Sequence, residues 1–272
     1  MKKLICLFLM VLFATACMPS DVKTEDAGLI PTLADTSTPT ILPTDTSVPS
    51  ATGTLTPTRT ASPTPDSENG VVKFPAEDGL TIVGTQFGQG EVAVILAHMG
   101  EAGSNTRASW SPFARYIATT GEFTALAIDL RGYGNTGGMR KHGEQYLDVL
   151  AAIDFLKAQG FEKIVCMGAS MGGNACAEAA LAYPDMDGLA IIASKPRLDR
   201  DYSQLSMPKL FVLEEGDPYF LAPTMEALYE MVPEPKSYHT FPEQVHGTRM
   251  FETASGDDFR QLLVDFLKSI DR

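Results

Sequence analysis

The sequence predicts an α/β domain built on a doubly wound, mostly parallel sheet, from about Gly70 to the C-terminus. Short apolar runs alternate there with segments of helical periodicity, which is the pattern of a sheet covered by helices. Runs such as VAVILA at 92–97 are apolar throughout, as expected of parallel strands buried on both faces. The length of this region, about 200 residues, suits one such domain.

The elements follow in order along this region. The predicted strands are 71–74, 80–87, 92–98, 124–130, 163–168, 188–193, 209–213 and 236–241, and the predicted helices are 109–120, 144–159, 171–183, 222–231 and 257–270. In the second helix the apolar residues form one stripe, which Gly160 ends. The first two strands follow each other without a helix, so we expect them to be antiparallel additions at one edge.

Residues 1–16 have the pattern of a secretory signal peptide, with two lysines followed by an apolar run at 4–13. That run is too short to cross a bilayer, which takes about 20 apolar residues. Small residues stand directly before Cys17, which resembles the bacterial lipobox, where the peptide is cut and the new N-terminal cysteine carries lipid. Ala14 stands where a leucine is commoner. An ordinary signal peptide cut near Ala16 is the alternative.

Residues 17–69 therefore comprise the lipidated Cys17 and a linker, and residues 70–272 are the folded domain. The linker is rich in Thr, Pro and Ser and has no aromatic residue, so it cannot bury enough apolar surface to fold and is predicted to be a disordered tether. The expected location is outside the cell membrane, or in the periplasm, with the chain held to the membrane by its lipid.

Charge and cysteine content exclude several functions. The formal net charge of −13 argues against a nucleic-acid partner, because phosphate binding needs clustered basic residues. The four cysteines form no zinc-type spacing and no disulfide framework. Cys166 and Cys176 lie in a predicted strand and helix, where we expect two small buried side chains, although an exported protein permits a bridge. No metal or organic cofactor is predicted.

The segment Gly168-Ala169-Ser170-Met171-Gly172 fits the G-x-S-x-G nucleophile elbow. The chemistry needs a sharp strand-to-helix turn on which glycines allow close backbone approach and the serine stays exposed. A predicted strand precedes this segment and a predicted helix follows it, so the context matches. The sequence thus predicts Ser170 as a nucleophile, and a purely structural glycine-rich turn is the alternative.

Four motifs in order make the region from Val71 onward resemble the α/β-hydrolase family, in particular its small dienelactone-hydrolase-like and esterase-like members. They are LAHMG at 96–100, DLRGYG at 129–134, the elbow, and VHGT at 245–248. The resemblance implies the α/β-hydrolase fold, here as a bacterial lipoprotein. Only about a dozen residues lie between Ser194 and Lys209, where larger relatives insert a cap, so we expect no large cap domain.

The resemblance also implies an oxyanion hole at the end of the third strand. The family's glycine after the histidine is replaced by Met99, and Gly100 follows. The first donor is therefore the backbone amide of Gly100, which we favour, or of Met99, and the second is the amide of Met171, which follows the nucleophile. In the DLRGYG motif, Asp129 and Arg131 are expected to pair and shape the loop.

The base must come after the nucleophile and lie in a loop beyond the last strand, which His246 satisfies. His98 is expected to support the oxyanion turn. His142 precedes the serine on a loop that could rim the site. His239 lies within a strand, where a half-buried structural role is the simpler interpretation.

The acid should end the strand between the elbow and this histidine. Asp217 lies there, directly before a proline, and Glu214 and Glu215 are its rivals. Its role would be to set the imidazole tautomer and stabilise the imidazolium.

These residues predict a serine hydrolase that cleaves a carboxylic ester of a small-molecule or acyl-ester substrate through an acyl-enzyme. A peptidase or an acyltransferase could use the same triad, because the difference lies in loops that face the substrate. A non-catalytic surface protein that binds a ligand is a third alternative. The sequence does not indicate the substrate or the oligomeric state.

Overall fold

The computed structural model describes residues 70–100 and 106–270. Within them the strands are β1 (Val71–Pro75), β2 (Thr81–Phe87), β3 (Val92–Ala97), β4 (Phe123–Asp129), β5 (Lys163–Ala169), β6 (Gly188–Ile192), β7 (Lys209–Glu214) and β8 (Lys236–Phe241). The helices are α1 (Ser111–Ala118), α2 (Tyr146–Ala158), α3 (Met171–Ala182), α4 (Ala222–Met231) and α5 (Gly256–Ile270). Two 3₁₀ turns, Arg107–Trp110 and Gly247–Glu252, were not predicted from the sequence.

All eight strands form one sheet in the order β1-β2-β4-β3-β5-β6-β7-β8. The pairs β1–β2 and β2–β4 are antiparallel, and every other pair is parallel. The predicted fold class is confirmed, including the antiparallel strands at one edge. Predicted and observed strand bounds agree to within about two residues. Strands such as β3, β4 and β7 are apolar runs buried on both faces, which marks them clearly in the sequence.

The core lies along the central strands. Every residue of β3, β4 and β7 is buried, and α5 turns its apolar side chains, among them Phe259 and Leu263, into the same core. Trp110 is fully buried, and its indole N–H donates to the carbonyl of Ala97 at 3.0 Å. This bond ties the turn before α1 to the carboxyl end of β3, where the oxyanion hole is predicted.

The carboxyl ends of the parallel strands meet at one edge of the sheet, which is where open α/β sheets bind their ligands. The elbow follows β5, the predicted acid follows β7, and the predicted histidine follows β8. The segment between β6 and β7, residues 193–208, contains no helix, so no cap domain is inserted there.

Cys166 of β5 and Cys176 of α3 form a disulfide, with their Cα atoms 5.9 Å apart. The expectation of two unbridged thiols was wrong. The elbow reverses the chain between these elements, so that α3 packs back onto β5 and two residues that are ten apart in sequence come face to face. Both side chains are fully buried.

The predicted signal peptide, Cys17 and the predicted tether lie outside the described residues. Within the described part of the chain, no helix combines the length and apolarity that crossing a membrane requires. The same residues include no cluster of three or more His, Cys, Asp or Glu side chains able to hold a metal ion.

Candidate active site

Ser170 adopts a backbone conformation that non-glycine residues rarely take. Its φ is 52° and its ψ is −116°, which typically costs about 1–3 kcal/mol and persists only where surrounding contacts hold it. Its amide donates to the carbonyl of Ile192 at 2.9 Å, and its carbonyl accepts from the Ser194 hydroxyl at 2.6 Å. The turn that results holds the serine side chain, which is half-buried, between β5 and α3.

The two elbow glycines are required by close backbone approach. A Cβ atom at Gly168 would lie 2.2 Å from the Gly172 carbonyl oxygen, and one at Gly172 would lie 2.2 Å from the carbonyl oxygen of Ala97. Neither position can hold a larger side chain without moving the backbone. The start of α3 is therefore packed directly against the end of β3.

His246 and Asp217 form a buried pair. The imidazole Nδ1 lies 2.7 Å from Oδ2 of Asp217, and the two residues are 3% and 5% exposed. The other carboxylate oxygen accepts from the amide of Tyr219 at 2.8 Å. Since an ionised carboxylate can only accept, Nδ1 carries the proton in this bond and Nε2 is left as the basic nitrogen.

The Tyr219 ring also meets the imidazole edge-on, with ring centroids 4.5 Å apart. One residue thus contacts both members of the pair, through its backbone amide and its ring. Nothing in the local sequence marked Tyr219 for this position, because the contact depends on how the loop after β7 folds.

The three candidate acids have different surroundings. Glu215 is exposed, and its carboxylate accepts from the Thr240 hydroxyl at 3.2 Å. Glu214 is buried, and burial raises its pKa to about 8. Of these three, Asp217 is the one that contacts His246.

Ser170 and His246 line one cavity of about 540 Å³ at the carboxyl edge of the sheet. Between these two described residues the structure contains no hydrogen bond. Such bonds are often long in the absence of substrate and tighten in the reacting complex. The arrangement therefore brings the hydroxyl and the imidazole to one cavity.

Gly100 and Met171 lie side by side at this cavity. A Cβ atom at Gly100 would lie 3.2 Å from the Cβ of Met171. Met171 is the first residue of α3, so its amide has no acceptor in a preceding helical turn. The Gly100 carbonyl accepts from the Tyr133 hydroxyl at 3.1 Å, so that oxygen is engaged by a residue that also lines the cavity.

Met99, the alternative donor, is buried and does not line this cavity. Its sulfur accepts from the Thr248 hydroxyl at 3.6 Å and would lie 3.0 Å from a Cβ at Gly247. Met99 therefore packs beneath the loop that carries His246. This placement favours Gly100 over Met99 as the first donor.

The other three histidines occupy different positions. His98 is fully buried; its Nε2 accepts from the amide of Leu130 at 3.0 Å and its Nδ1 bonds the carbonyl of Met99 at 2.7 Å. Burial lowers its pKa, so it links the ends of β3 and β4 as a neutral ring. His142 lines the cavity. His239 is exposed rather than half-buried, because β8 is an edge strand.

Asp129 and Arg131 do not pair, which corrects the expectation from the DLRGYG motif. Asp129 accepts from the side chain and the amide of Arg107 and from the amide of Asn135. Arg131 pairs with Asp148 and with Asp78, each at 2.8 Å. The chain turns directly after β4, so the two side chains diverge and take partners from distant elements.

A second cavity of about 640 Å³ opens near the starts of β3 and β5, at the opposite edge of the sheet. Among its described lining residues there is no histidine, cysteine or serine. It therefore lacks the groups that acyl transfer needs, and the cavity at Ser170 is the candidate active site.

Comparison with known proteins agrees with this architecture. The family model described as the alpha/beta hydrolase fold matches residues 92–230, a range that includes Ser170 and Asp217. The solved structure of a serine hydrolase involved in carbazole degradation is similar, with 18% sequence identity and a TM-score of 0.59. The match covers 73% of this chain and 99% of the other.

Two solved esterases are similar to the same extent. One from Pyrococcus furiosus is 15% identical and covers 75% of this chain and 91% of its own, with a TM-score of 0.61. One from Exiguobacterium antarcticum is 14% identical and covers 72% of this chain and 99% of its own, with a TM-score of 0.59. At these identities the likeness shows a shared fold.

Proposed function

This chain belongs to the α/β-hydrolase fold family, and from that membership we propose that it is a serine hydrolase that cleaves a carboxylic ester, or a related acyl bond, through an acyl-enzyme on Ser170. The observation that carries the proposal is the buried bond of 2.7 Å between His246 and Asp217, set beside a serine whose φ is 52° at the same cavity. We place the protein among the small esterase-like and dienelactone-hydrolase-like members, since residues 193–208 hold no cap helix.

In the proposed reaction, Ser170 Oγ attacks the ester carbonyl carbon while Nε2 of His246 takes the hydroxyl proton. The tetrahedral intermediate collapses, its bond to the alcohol oxygen breaks, and the imidazolium returns the proton to that oxygen. Water then attacks the acyl-enzyme with Nε2 again as the base. The carboxylic acid leaves and the serine hydroxyl is restored.

The backbone amides of Met171 and Gly100 hold the negative charge that develops on the carbonyl oxygen. Both are fixed by the backbone before substrate arrives, so no reorganisation accompanies the reaction. Removal of one such donor typically lowers turnover by about 10²–10³. Asp217 keeps the proton on Nδ1 and stabilises the imidazolium, without taking that proton itself.

The first test is the substitution Ser170→Ala. We expect it to lower turnover of a short-chain nitrophenyl ester by about 10⁶, as loss of a triad nucleophile does elsewhere, and to abolish covalent labelling by a fluorophosphonate probe. Ser269→Ala is the matched control, because it removes a hydroxyl from an exposed position on α5 and should keep the wild-type rate and labelling. A retained rate in Ser170→Ala, or wild-type protein that the probe does not label, contradicts the proposal.

The same triad would serve a peptidase or an acyltransferase. A panel of short-acyl and long-acyl esters, amides and peptides, each assayed with and without an added alcohol acceptor, separates these activities. Ester turnover that exceeds amide turnover, with water as the acceptor, is expected. Probe labelling in the wild type also separates every enzymatic alternative from a binding protein that keeps only the fold.

We further propose that the chain is exported and held to the membrane by lipid on Cys17, with residues 17–69 as a disordered tether. The charged and apolar pattern of residues 1–16 supports this, as does the Cys166–Cys176 disulfide, because disulfides persist in oxidising compartments. Labelling with a radioactive fatty acid should mark the wild type and not Cys17→Ala. Equal release of both proteins into the soluble fraction would exclude the anchor.

A further inference from the structure

Lys195 and His142 line the cavity beside Ser170, together with the proposed base His246. Lys195 follows β6 and His142 precedes α2, and both are exposed at its rim. None of the described residues that line this cavity is acidic, although the chain as a whole has a net charge of −13. Among its described residues the lining thus carries the ammonium group of Lys195 and no carboxylate, whereas Asp217 lies behind His246, to which it is bonded.

In and beside the loop after β6, Asp199 and Glu178 are paired with arginines, whereas Asp201 accepts from the amide of Ser203. After β6, Asp199 is bound by Arg197 at 2.7 Å and Glu178 of α3 by Arg200 at 3.1 Å. Within the described part of the chain, Lys195 has no carboxylate partner. Its ammonium group therefore remains available to a ligand.

In the loop before α2, the carboxylate of Glu144 is likewise paired with cations. Glu144 is bound by Arg131 at 3.2 Å and by Lys141 at 3.4 Å, and His142 has no carboxylate partner among the described residues. The Arg140 guanidinium stacks over the ring of Tyr133, 4.2 Å from its centroid, and Tyr133 lines the cavity. The Arg140 guanidinium therefore stands close behind the cavity wall, as a second fixed cation besides Lys195.

We propose that Lys195 and His142 select substrates that carry a carboxylate group beside the scissile ester. The ammonium group would hold that carboxylate by a charge-assisted hydrogen bond, and an imidazole N–H would donate a second one. At physiological salt the remote acidic surface is screened beyond about 8 Å, so the charged groups close to the cavity determine the potential that the ligand meets. The inference rests on the proposed esterase function and names its substrate class.

The experiment compares matched pairs of esters that differ in one charge. For the acyl side the pair is the 4-nitrophenyl monoester of adipic acid and the 4-nitrophenyl ester of adipic acid monoamide. For the alcohol side the pair is 4-carboxyphenyl acetate and 4-carbamoylphenyl acetate. We expect kcat/KM of the wild type to favour the anionic member of at least one pair by about tenfold at low salt, and the preference to shrink as salt screens it.

Substitutions then assign the preference to the cavity. Lys195→Gln should reduce the anionic preference to near unity, Lys195→Glu should reverse it, and His142→Gln should weaken it by about twofold to threefold. Lys268→Gln removes the same charge from an exposed site on α5 and should keep the wild-type ratio. Equal turnover of both members of both pairs, or a ratio that Lys195→Gln leaves unchanged, overturns the proposal.

A binding measurement separates this inference from the proposed function. Calorimetry with Ser170→Ala should show adipate binding that is lost in Ser170→Ala/Lys195→Glu, whereas adipamide should not bind to either variant. Adipate binding without any ester turnover by the wild type would leave the carboxylate site in place and contradict the esterase. Ester turnover without charge preference and without adipate binding would leave the esterase and exclude the carboxylate site.

Discussion

At the scale of single residues, the properties of the proposed base depend on its partner. Asp217 is 5% exposed, and its two oxygens accept from the Tyr219 amide and from Nδ1 of His246. The carboxylate is thus held in place by one bond while it orients the imidazole with the other. An asparagine at position 217 could keep the shape of the pair, but its NH₂ group would donate to Nδ1 of His246. The imidazole proton would then lie on Nε2, the nitrogen that must act as the base.

We therefore expect Asp217→Asn to lower kcat on a nitrophenyl ester by about 10⁴, since the analogous change in the serine-protease triad does so by favouring the wrong tautomer. Folding should be retained, which near-ultraviolet circular dichroism can verify. Glu215→Gln is the matched control, because Glu215 is adjacent and exposed and should keep kcat within about twofold. Similar losses in both variants would move the acid away from Asp217.

The positions of site residues could be predicted from sequence where a motif constrains the backbone. They could not be predicted where the path of a loop determines the contact. Ser170 and its flanking glycines follow from the elbow pattern, since close approach excludes a Cβ at Gly168 and Gly172. Tyr219 has no such signal, because its contact with His246 depends on the path of the loop after β7. Arg131 was assigned the wrong partner for the same reason, since Asp148 and Asp78 reach it from other elements.

At the scale of elements, β5 and α3 form one unit around the nucleophile. The disulfide between Cys166 and Cys176 closes a loop that contains the whole elbow, and the glycine contacts press the start of α3 onto β3. The bounds of β5 and α3 were predictable from apolar runs and helical spacing. Their covalent link was not, because it requires knowing which face of α3 packs onto β5.

Removal of this disulfide should destabilise the fold. For a loop of about ten residues, loss of the chain-entropy effect costs about 3 kcal/mol, and we expect Cys166→Ala/Cys176→Ala to lower the free energy of unfolding by roughly that amount. Denaturant titrations with and without dithiothreitol provide the measurement. Reductant should shift the wild-type midpoint and leave the double variant unaffected, and hydrogen exchange across 166–176 should become faster.

A wild type whose denaturation midpoint ignores reductant would show that the bridge contributes nothing to stability in solution. The single variants Cys166→Ala and Cys176→Ala serve as controls for the lost side-chain volume. Each also removes the bridge, so each should unfold at about the same denaturant concentration in the presence and absence of dithiothreitol.

At the scale of the whole molecule, the sheet order and the site's location follow from alternating strands and helices, which place the ends of β3, β5 and β7 at one edge. The pKa values of interior groups are harder to predict from sequence, because they depend on how deeply each group is buried. Lys209 and Glu214 lie at the two ends of β7 and both are buried. Burial lowers the pKa of Lys209 to about 8 and raises that of Glu214 to about 8.

These shifts predict how folding stability changes with pH. Glu214 keeps its proton in the folded state up to about pH 8 but loses it near 4.5 when unfolded. Between those values the folded state binds more protons, so the free energy of unfolding falls as pH rises. Lys209 contributes a slope of the opposite sign, but only between about pH 8 and 10.5. His98, whose pKa burial lowers, contributes only below its unfolded value of about 6.5.

Between about pH 7 and 8, Glu214 is thus the one of these three groups that binds a different number of protons in the folded and unfolded states. It should lower the free energy of unfolding by at most roughly 1.4 kcal/mol per pH unit. Glu214→Gln cannot ionise, so its free energy of unfolding should be flatter than the wild type's across this window, whatever its absolute value. Denaturant titrations at several pH values provide the measurement, with the exposed neighbour variant Glu215→Gln as the control that keeps the wild-type slope. Parallel curves for Glu214→Gln and the wild type would mean that Glu214 is ionised in the folded protein, and that a bound cation or a rearranged loop neutralises it.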